Sequence, residues 1–119
     1  MLRGRTRRDA SSKYGAKRTE VDGIVFASKR EAKRYCELKM LERVGQVKEL
    51  ELQPKFPLYV CGRKNGELHQ VCVYIADFRY RTGVNGVLII EDAKGMKTPT
   101  YRLKKKMVEA QYGIEIQEV

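Results

Sequence analysis

Two aspartates and one lysine stand out because each lies in or at the end of a run of apolar residues. Asp77 lies within the stretch 74–78, and Asp92 and Lys94 follow the apolar run 87–90. A carboxylate or an ammonium group is costly to bury unless it binds a partner. An acid that is followed, after fourteen residues, by Asp-Ala-Lys therefore indicates a site for a charged ligand.

The spacing of these residues suits a divalent cation. Side chains alternate along a strand, so Asp92 and Lys94 share one face and Glu91 takes the other, where a structural role is expected unless a bulge swaps the two acids. If the strand of Asp77 pairs with that of Asp92 through the turn at 84–86, the two carboxylates lie opposite each other and repel. Mg²⁺, or Mn²⁺ in its place, compensates such a pair with oxygen ligands and retained waters.

The reaction that these groups would support is hydrolysis of a phosphodiester bond. Bound Mg²⁺ lowers the pKa of a water molecule and stabilises charge on a phosphodiester under attack. Lys94 would orient the attacking water or neutralise the charge that develops in the transition state. The alternative is that Lys94 only forms an ion pair with Asp92.

The overall charge indicates a polyanionic partner. The chain has 119 residues and a formal net charge of +10, which favours nucleic acid over an anionic membrane surface. With 42% hydrophobic residues it can form the core of one domain. We expect no membrane span and no secretory signal. Three cysteines without a C-x-x-C motif and a single histidine, His69, argue against zinc and favour the cytoplasm.

The basic residues are unevenly distributed along the chain. Residues 1–18 hold seven of them against one acid, Asp9, which predicts a flexible basic arm before a single domain at 19–119. The alternatives are a solubilising tail and, for the lysines on helices, a solvated helix face. The residues predicted to contact nucleic-acid phosphates are Arg3, Arg5, Arg7, Arg8, Lys13, Lys17, Arg18, Lys29, Lys33, Lys97 and Lys104.

Capping signals place a first helix in the amino-terminal half. Ser28 and Glu31 fit a capping box, and Gly45 follows as a stop signal. A short extended segment over 19–26, with a turn at Asp22-Gly23, precedes this helix. The apolar stripe of the helix consists of Ala32, Tyr35, Leu38, Leu41 and Val44.

Three extended segments and a second helix follow. The predicted strands cover 50–60, which two prolines interrupt, then 68–80 and 87–94. The Asn-Gly pair within 63–66 predicts a hairpin turn between the first two of them. Thr98 or Thr100 caps the second helix, and a last strand begins at Ile114. The core stripe of this helix is Leu103, Met107 and Ala110. The predicted fold is an α/β fold (a mixed α+β sheet) in the order α-β-β-β-α-β.

With this order and these motifs, the chain resembles the PD-(D/E)xK nuclease superfamily, whose core is the restriction-endonuclease-like αβββαβ fold. Asp77 takes the position of the first acid, with Ala76 where the motif has proline, and 92–94 supplies the second motif. The resemblance covers about residues 13–119 and is nearest to a family of small phage and prophage proteins placed in this superfamily. The segments that carry it are 13–17, 21–24, 28–32, 52–56 and 91–95.

The resemblance implies further ligands. Many members add a glutamate from the first helix, and Glu31 holds that place, so the implied metal ligands are Glu31, Asp77, Asp92 and the backbone carbonyl of Ala93. Helix capping alone is the alternative for Glu31. Gln53, on the interrupted strand, is an auxiliary candidate that could reach the metal or the DNA backbone. The implied setting is the cytoplasm of a bacterial host, with the protein encoded by a phage or prophage.

We therefore expect a Mg²⁺-dependent DNA endonuclease in phage recombination or replication. One site per chain requires two copies to cut two strands, hence a homodimer. A Holliday-junction resolvase that acts on branched DNA is favoured, because little chain remains for sequence readout. The first rival is a non-catalytic nucleic-acid-binding protein with an inactive nuclease fold, which leaves Asp77 and Asp92 unexplained. The second is a small protein-interaction module whose charge is incidental.

Overall fold

The computed structural model describes residues 17–119, so the predicted arm lies outside the described residues except for Lys17 and Arg18, which are exposed. The first described elements are the short antiparallel strands β1 (Thr19–Val21) and β2 (Ile24–Phe26). Asp22 and Gly23 join them with φ angles of +54° and +78°. This confirms the turn expected from an Asp-Gly pair.

Helix α1 (Lys29–Arg43) begins and ends where the capping signals predicted. The Glu31 amide donates a hydrogen bond of 3.1 Å to Ser28 Oγ, and Gly45 follows the helix with a φ of +81°. Its buried stripe is shorter than predicted, because Ala32, Tyr35 and Leu38 are buried, Leu41 is only partly buried and Val44 is 68% exposed.

The remaining elements form a central sheet, a separate hairpin and a second helix. In chain order they are β3 (Val47–Leu52), β4 (Lys55–Cys61), β5 (Leu68–Ile75), β6 (Phe78–Thr82), β7 (Leu88–Asp92), α2 (Pro99–Tyr112) and β8 (Ile116–Glu118). The central sheet has the strand order β3-β6-β7-β8, antiparallel except for the parallel pair β7 and β8. With α1 before it and α2 before its last strand, the core follows the predicted α-β-β-β-α-β order, and the mixed α/β fold class is confirmed.

The β4–β5 hairpin has the turn that was predicted at 63–66, but the sequence did not predict that it forms a sheet apart from the central one. The predicted strands 50–60 and 68–80 are each broken in two, at Gln53-Pro54 and at Ala76-Asp77. The two breaks face each other: the Gln53 amide donates to the Asp77 carbonyl at 2.9 Å, and the Ala76 amide donates to the Pro54 carbonyl at 3.1 Å. The chain thus leaves the central sheet and returns to it at one place, because proline offers no amide to continue the ladder.

Helix α2 covers the free edge of the hairpin. The Gln111 side chain accepts from the Tyr59 amide and donates to the Tyr59 carbonyl, both at 2.9 Å. The Tyr112 hydroxyl donates to the Pro57 carbonyl at 2.7 Å. The amide group of Gln111 therefore makes the two hydrogen bonds that a neighbouring strand would make.

The buried face of α2 differs from the prediction. Thr98 caps the helix, with its hydroxyl accepting from the Tyr101 amide at 3.1 Å. Tyr101 and Val108 are buried, whereas Leu103 is 59% exposed and Ala110 is exposed too. Of the predicted stripe only Met107 packs against this core, and Leu103 and Ala110 were wrong because α2 turns its Tyr101–Val108 face toward the hairpin and the sheet. In the part of the chain that is described, no helix is both long and apolar enough to cross a membrane.

The two faces of the central sheet bury separate cores. One core lies under α1 and includes Phe78, with Ile89 packed against it. The other lies under α2 and the hairpin and includes Tyr74 and Ile90. Because side chains alternate along β7, Glu91 belongs to the α1 face and Asp92 to the α2 face.

Candidate active site

Asp77 lies at the break between β5 and β6 and not inside a strand as predicted. Its amide donates to the Glu91 carbonyl at 3.0 Å, and its Oδ2 accepts from the Ala93 amide at 2.7 Å. The β6–β7 ladder pairs Phe78 with Glu91 without a bulge. Extending this register by one residue places Asp77 opposite Asp92, as predicted from the turn at 84–86.

Asp92 ends β7 and is fully buried. The Tyr74 hydroxyl donates to its Oδ2. Among residues 17–119 its Oδ1 has no hydrogen-bond partner, and the nearest cation, Lys94 Nζ, lies 3.9 Å away. A buried carboxylate oxygen without a partner carries its full cost of desolvation. This oxygen is therefore the position at which the site most needs a positively charged ligand.

Glu31 and Asp77 line a cavity of about 440 Å³ beside the start of α1. Ala93 and Lys94 line the same cavity from the end of β7. A second cavity of about 150 Å³ is also bordered by Glu31 and Asp77 and includes Gln53. Three of the four predicted catalytic residues, Glu31, Asp77 and Lys94, thus line these cavities with Gln53. The fourth, Asp92, lines neither cavity and lies 3.9 Å from Lys94.

Burial raises the pKa of all three acids. The pKa of Glu31 rises to about 7, through burial first and the nearby charge of Asp77 second, while Lys94 and the Ala27 amide lower it. Burial raises the pKa of Asp92 to about 6, and Lys94 opposes this shift. The pKa of Asp77 is raised by burial and lowered by the Ala93 amide and by Lys94. Lys94 thus acts on three carboxyl groups, of which Glu31 and Asp92 are buried and Asp77 is partly buried, and an excess of negative charge remains when all three are ionised.

The donor atoms fit Mg²⁺ in kind. Over residues 17–119, no three or more His, Cys, Asp or Glu side chains lie close enough to form a metal-binding cluster. Mg²⁺ is usually held by only one or two carboxylates and keeps several waters. Glu31 and Asp77 supply two such groups in one cavity, and the unpartnered oxygen of Asp92 lies beside Lys94. The carbonyl of Ala93 stays a prediction as a ligand.

Glu91 has the structural role that strand alternation predicted. Arg34 holds its carboxylate with two hydrogen bonds, of 2.8 and 2.7 Å, and the Tyr80 hydroxyl donates to it as well. These partners use both oxygens of a side chain that is only 3% exposed. Arg34 of α1 is thus the partner of a buried acid on β7.

Two of the residues predicted to contact nucleic acid line the large cavity. Lys17 and Lys29 line it together with Arg30, which was not among the predicted contacts. Lys97 is paired with Glu118 at 3.2 Å. Lys104 lines a neighbouring cavity of about 290 Å³ with Lys94, whereas Lys33 is exposed on α1. The predicted contacts that lie outside the described residues are Arg3, Arg5, Arg7, Arg8 and Lys13.

The structure adds residues to the site that sequence reasoning missed. Tyr74 was predicted only as a strand residue, and Tyr80 was not singled out. The one signal that marks them in the sequence is a tyrosine within a buried strand, because a buried hydroxyl needs a partner. Arg34 could be found only by its three-residue spacing from Glu31 on the helix.

The raised pKa values predict that Mg²⁺ stabilises the protein more at high pH. Between pH 4.5 and 7 the folded protein binds more protons than the unfolded chain, because the pKa of Glu31 is raised from 4.5 to about 7. The free energy of unfolding of the metal-free protein therefore falls as pH rises through this window. Mg²⁺ competes with protons for the carboxylates, so we expect it to raise the melting temperature more at pH 8 than at pH 5.

Thermal denaturation with Mg²⁺ and with EDTA at both pH values measures this effect. Glu31→Gln should stabilise the metal-free protein at pH 8 by on the order of 1 kcal/mol and have little effect at pH 4. Glu49→Gln is the control, since Glu49 is exposed and its side chain is 76% accessible. An equal Mg²⁺ effect at pH 5 and pH 8 would contradict the assignment.

Comparison with known proteins gives one match. A family model described as "Protein of unknown function (DUF1064)" matches residues 11–118. No curated protein matches the chain, and no solved structure matches it.

Proposed function

Since the chain belongs to the family described as "Protein of unknown function (DUF1064)", whose description assigns no activity, we propose from the site itself that the protein is a metal-dependent endonuclease that hydrolyses phosphodiester bonds in DNA. The observation that carries the proposal is the unpartnered Oδ1 of the fully buried Asp92. It lies at the strand end where Asp77 and Lys94 also meet. A purely structural acid at this place would have both oxygens paired, as Glu91 does.

We further propose that the family belongs to the PD-(D/E)xK superfamily. Two independent features support this: the core has the order α-β-β-β-α-β, and the acid–acid–lysine motif falls at the adjacent ends of its second and third strands. A third is Glu31, which the first helix contributes to the same cavity. The absence of the motif proline at Ala76 is compatible with the break that the chain makes there.

Each residue of the site has a proposed role. Mg²⁺, when bound, would lower the pKa of the attacking water and stabilise negative charge on the phosphate. Glu31 and Asp77 would hold it from the cavity, and Asp92 would do so through Oδ1. Lys94 Nζ lies 3.9 Å from this oxygen and 5.3 Å from the centre of the Tyr101 ring. It is therefore held at the cavity, where it can donate a hydrogen bond to a phosphate oxygen or to the attacking water.

The charge around the site suits a nucleic-acid backbone. Glu31 and Asp77 line the large cavity, and so do the basic residues Lys17, Lys29 and Arg30. Basic side chains around such a cavity attract the phosphates of a nucleic acid without reading its bases. Because this surface recognises backbone shape, branched DNA is the substrate that we favour. A homodimer would supply the two sites that cutting both strands requires.

The test is cleavage of DNA by the purified protein. Supercoiled, linear and four-way-junction DNA are incubated with Mg²⁺, with Mn²⁺ and with EDTA, and products are resolved on gels. We expect cleavage that EDTA abolishes, with the junction as the preferred substrate. Asp92→Asn should lose cleavage, whereas Glu49→Gln, a change at an exposed acid, should cleave as the wild type does.

A non-catalytic DNA-binding protein is the second candidate function. It is favoured by one observation, that within residues 17–119 no compact cluster of three metal-binding side chains is present. This candidate predicts DNA binding that weakens steeply with salt and no cleavage with either metal. Binding without cleavage on all three substrates would reject the nuclease proposal in its favour.

A further inference from the structure

We propose that Tyr74 is a positioning residue for the metal site: it holds one oxygen of Asp92 so that the other stays available to a divalent cation. The inference rests on the proposed function and names a residue of the added hairpin that serves it. Tyr74 lies on β5, which is not hydrogen-bonded into the central sheet. The hairpin would thus contribute to the site from outside the core.

The contact between Tyr74 and Asp92 is well enclosed. The Tyr74 side chain is buried, and its hydroxyl donates to Asp92 Oδ2. Its ring packs near the rings of Phe56 and Tyr101, with centroid distances of 6.4 and 6.5 Å. These aromatic neighbours restrict the ring and therefore the position of its hydroxyl oxygen.

The backbone of Asp92 is fixed independently of Tyr74. In β7 it is paired with Glu118 of β8, and its carbonyl accepts from the Val119 amide at 2.9 Å. The rotation of the carboxylate about its own side-chain bonds is what remains free. Tyr74 removes this freedom by binding Oδ2, and Oδ1 is left without a hydrogen-bond partner, 3.9 Å from Lys94 Nζ.

A carboxylate with one oxygen hydrogen-bonded by a protein group and the other oxygen available is typical of a metal ligand that a neighbouring residue orients. Groups that bind the second atom of a metal ligand fix its orientation, and their removal commonly weakens metal binding about 10- to 100-fold. A second tyrosine–aspartate pair in the molecule provides the contrast. The Tyr35 hydroxyl donates to Asp22 Oδ2 at 3.2 Å, but Asp22 is exposed and lies in the β1–β2 turn.

The experiment measures Mn²⁺ binding, with free Mn²⁺ detected by electron paramagnetic resonance. Tyr74→Phe keeps the ring and removes the hydroxyl, and we expect it to weaken Mn²⁺ binding by about 10-fold or more. Tyr35→Phe, which removes the matched hydroxyl beside the exposed Asp22, should bind Mn²⁺ as the wild type does. In an Asp92→Asn background, Tyr74→Phe should cause no further loss, because its effect acts through Asp92.

The outcomes separate this inference from the proposed function. A wild-type protein that binds no Mn²⁺ would overturn both. If Tyr74→Phe leaves Mn²⁺ binding unchanged, the positioning role alone is overturned. The same holds if Tyr74→Phe weakens Mn²⁺ binding equally in the wild-type and in the Asp92→Asn background. A fall in melting temperature without a fall in Mn²⁺ affinity would assign Tyr74 to packing only and would likewise reject the proposal.

Discussion

Replacing Lys94 by alanine is expected to slow Mg²⁺-dependent DNA cleavage by about 10²- to 10³-fold. Lys94 is the cation that lowers the pKa of Glu31, Asp77 and Asp92 alike. Its position over the Tyr101 ring, with a third of the side chain accessible, leaves the ammonium group free to meet a phosphate.

The loss should fall on kcat more than on KM. An interaction that forms only as charge develops in the transition state changes the chemical step and not ground-state binding. Mn²⁺ binding at pH 8 should not weaken, because the variant loses a positive charge that would repel the cation and keeps the three carboxylates. Single-turnover cleavage and Mn²⁺ titration measure the two effects.

Lys39→Ala is the matched control for this prediction. Lys39 is a lysine on α1 that pairs with Glu42 at 2.7 Å and lies outside the cavities that contain Glu31 and Asp77. It should cleave at the wild-type rate. Equal rates for Lys94→Ala and the wild type would show that the lysine is only the ion-pair partner of Asp92.

Replacing Arg34 by alanine is expected to lower the free energy of unfolding by about 3 kcal/mol, because removing one partner leaves a buried charge without compensation. Arg34 makes two hydrogen bonds to Glu91, whose side chain is 3% exposed. The Tyr80 hydroxyl, which remains bound to the same carboxylate, would offset a part of the loss. Urea denaturation at pH 7 measures the change.

Two comparisons make this prediction specific. Arg79 pairs with Glu51 across the β3–β6 ladder, where both side chains are substantially exposed, so Arg79→Ala should cost less than about 1 kcal/mol. The double change Arg34→Met with Glu91→Met should recover most of the stability, since no buried charge is left unpaired. A loss for Arg34→Ala no larger than that for Arg79→Ala would contradict the buried ion pair.

The Arg34–Glu91 pair also bears on activity, because it joins α1 to β7. Glu31 lies three residues before Arg34 on the same face of the helix. The pair therefore fixes the distance between Glu31 and the strand that carries Asp92. Arg34→Ala should for this reason weaken Mn²⁺ binding as well as stability.

The sequence predicted the parts of the site that depend on local regularity. The β6–β7 ladder has no bulge, so counting from the turn at 84–86 was enough to place Asp77 opposite Asp92. The capping box likewise placed Glu31 at the start of α1, and strand alternation assigned Glu91 to the opposite face from Asp92.

The sequence could not predict the parts that depend on how elements meet. The chain is apolar on both sides of the break at Ala76-Asp77, so its periodicity does not mark where it leaves one sheet for another. The buried face of α2 depends on the hairpin, which this break creates. The partner of Asp92 is also set by the hairpin, since Tyr74 reaches it across eighteen residues of chain.

The Gln111 contact has a consequence for how the protein behaves at high concentration. A strand whose outer amides and carbonyls are unpaired is a template for intermolecular β-sheets and aggregation. On β4, the outward amide and carbonyl of Tyr59 are occupied by Gln111, and the carbonyl of Pro57 is occupied by Tyr112. The last turn of α2 thus closes the outer edge of β4, in a hairpin rich in exposed apolar side chains, to a strand of another molecule.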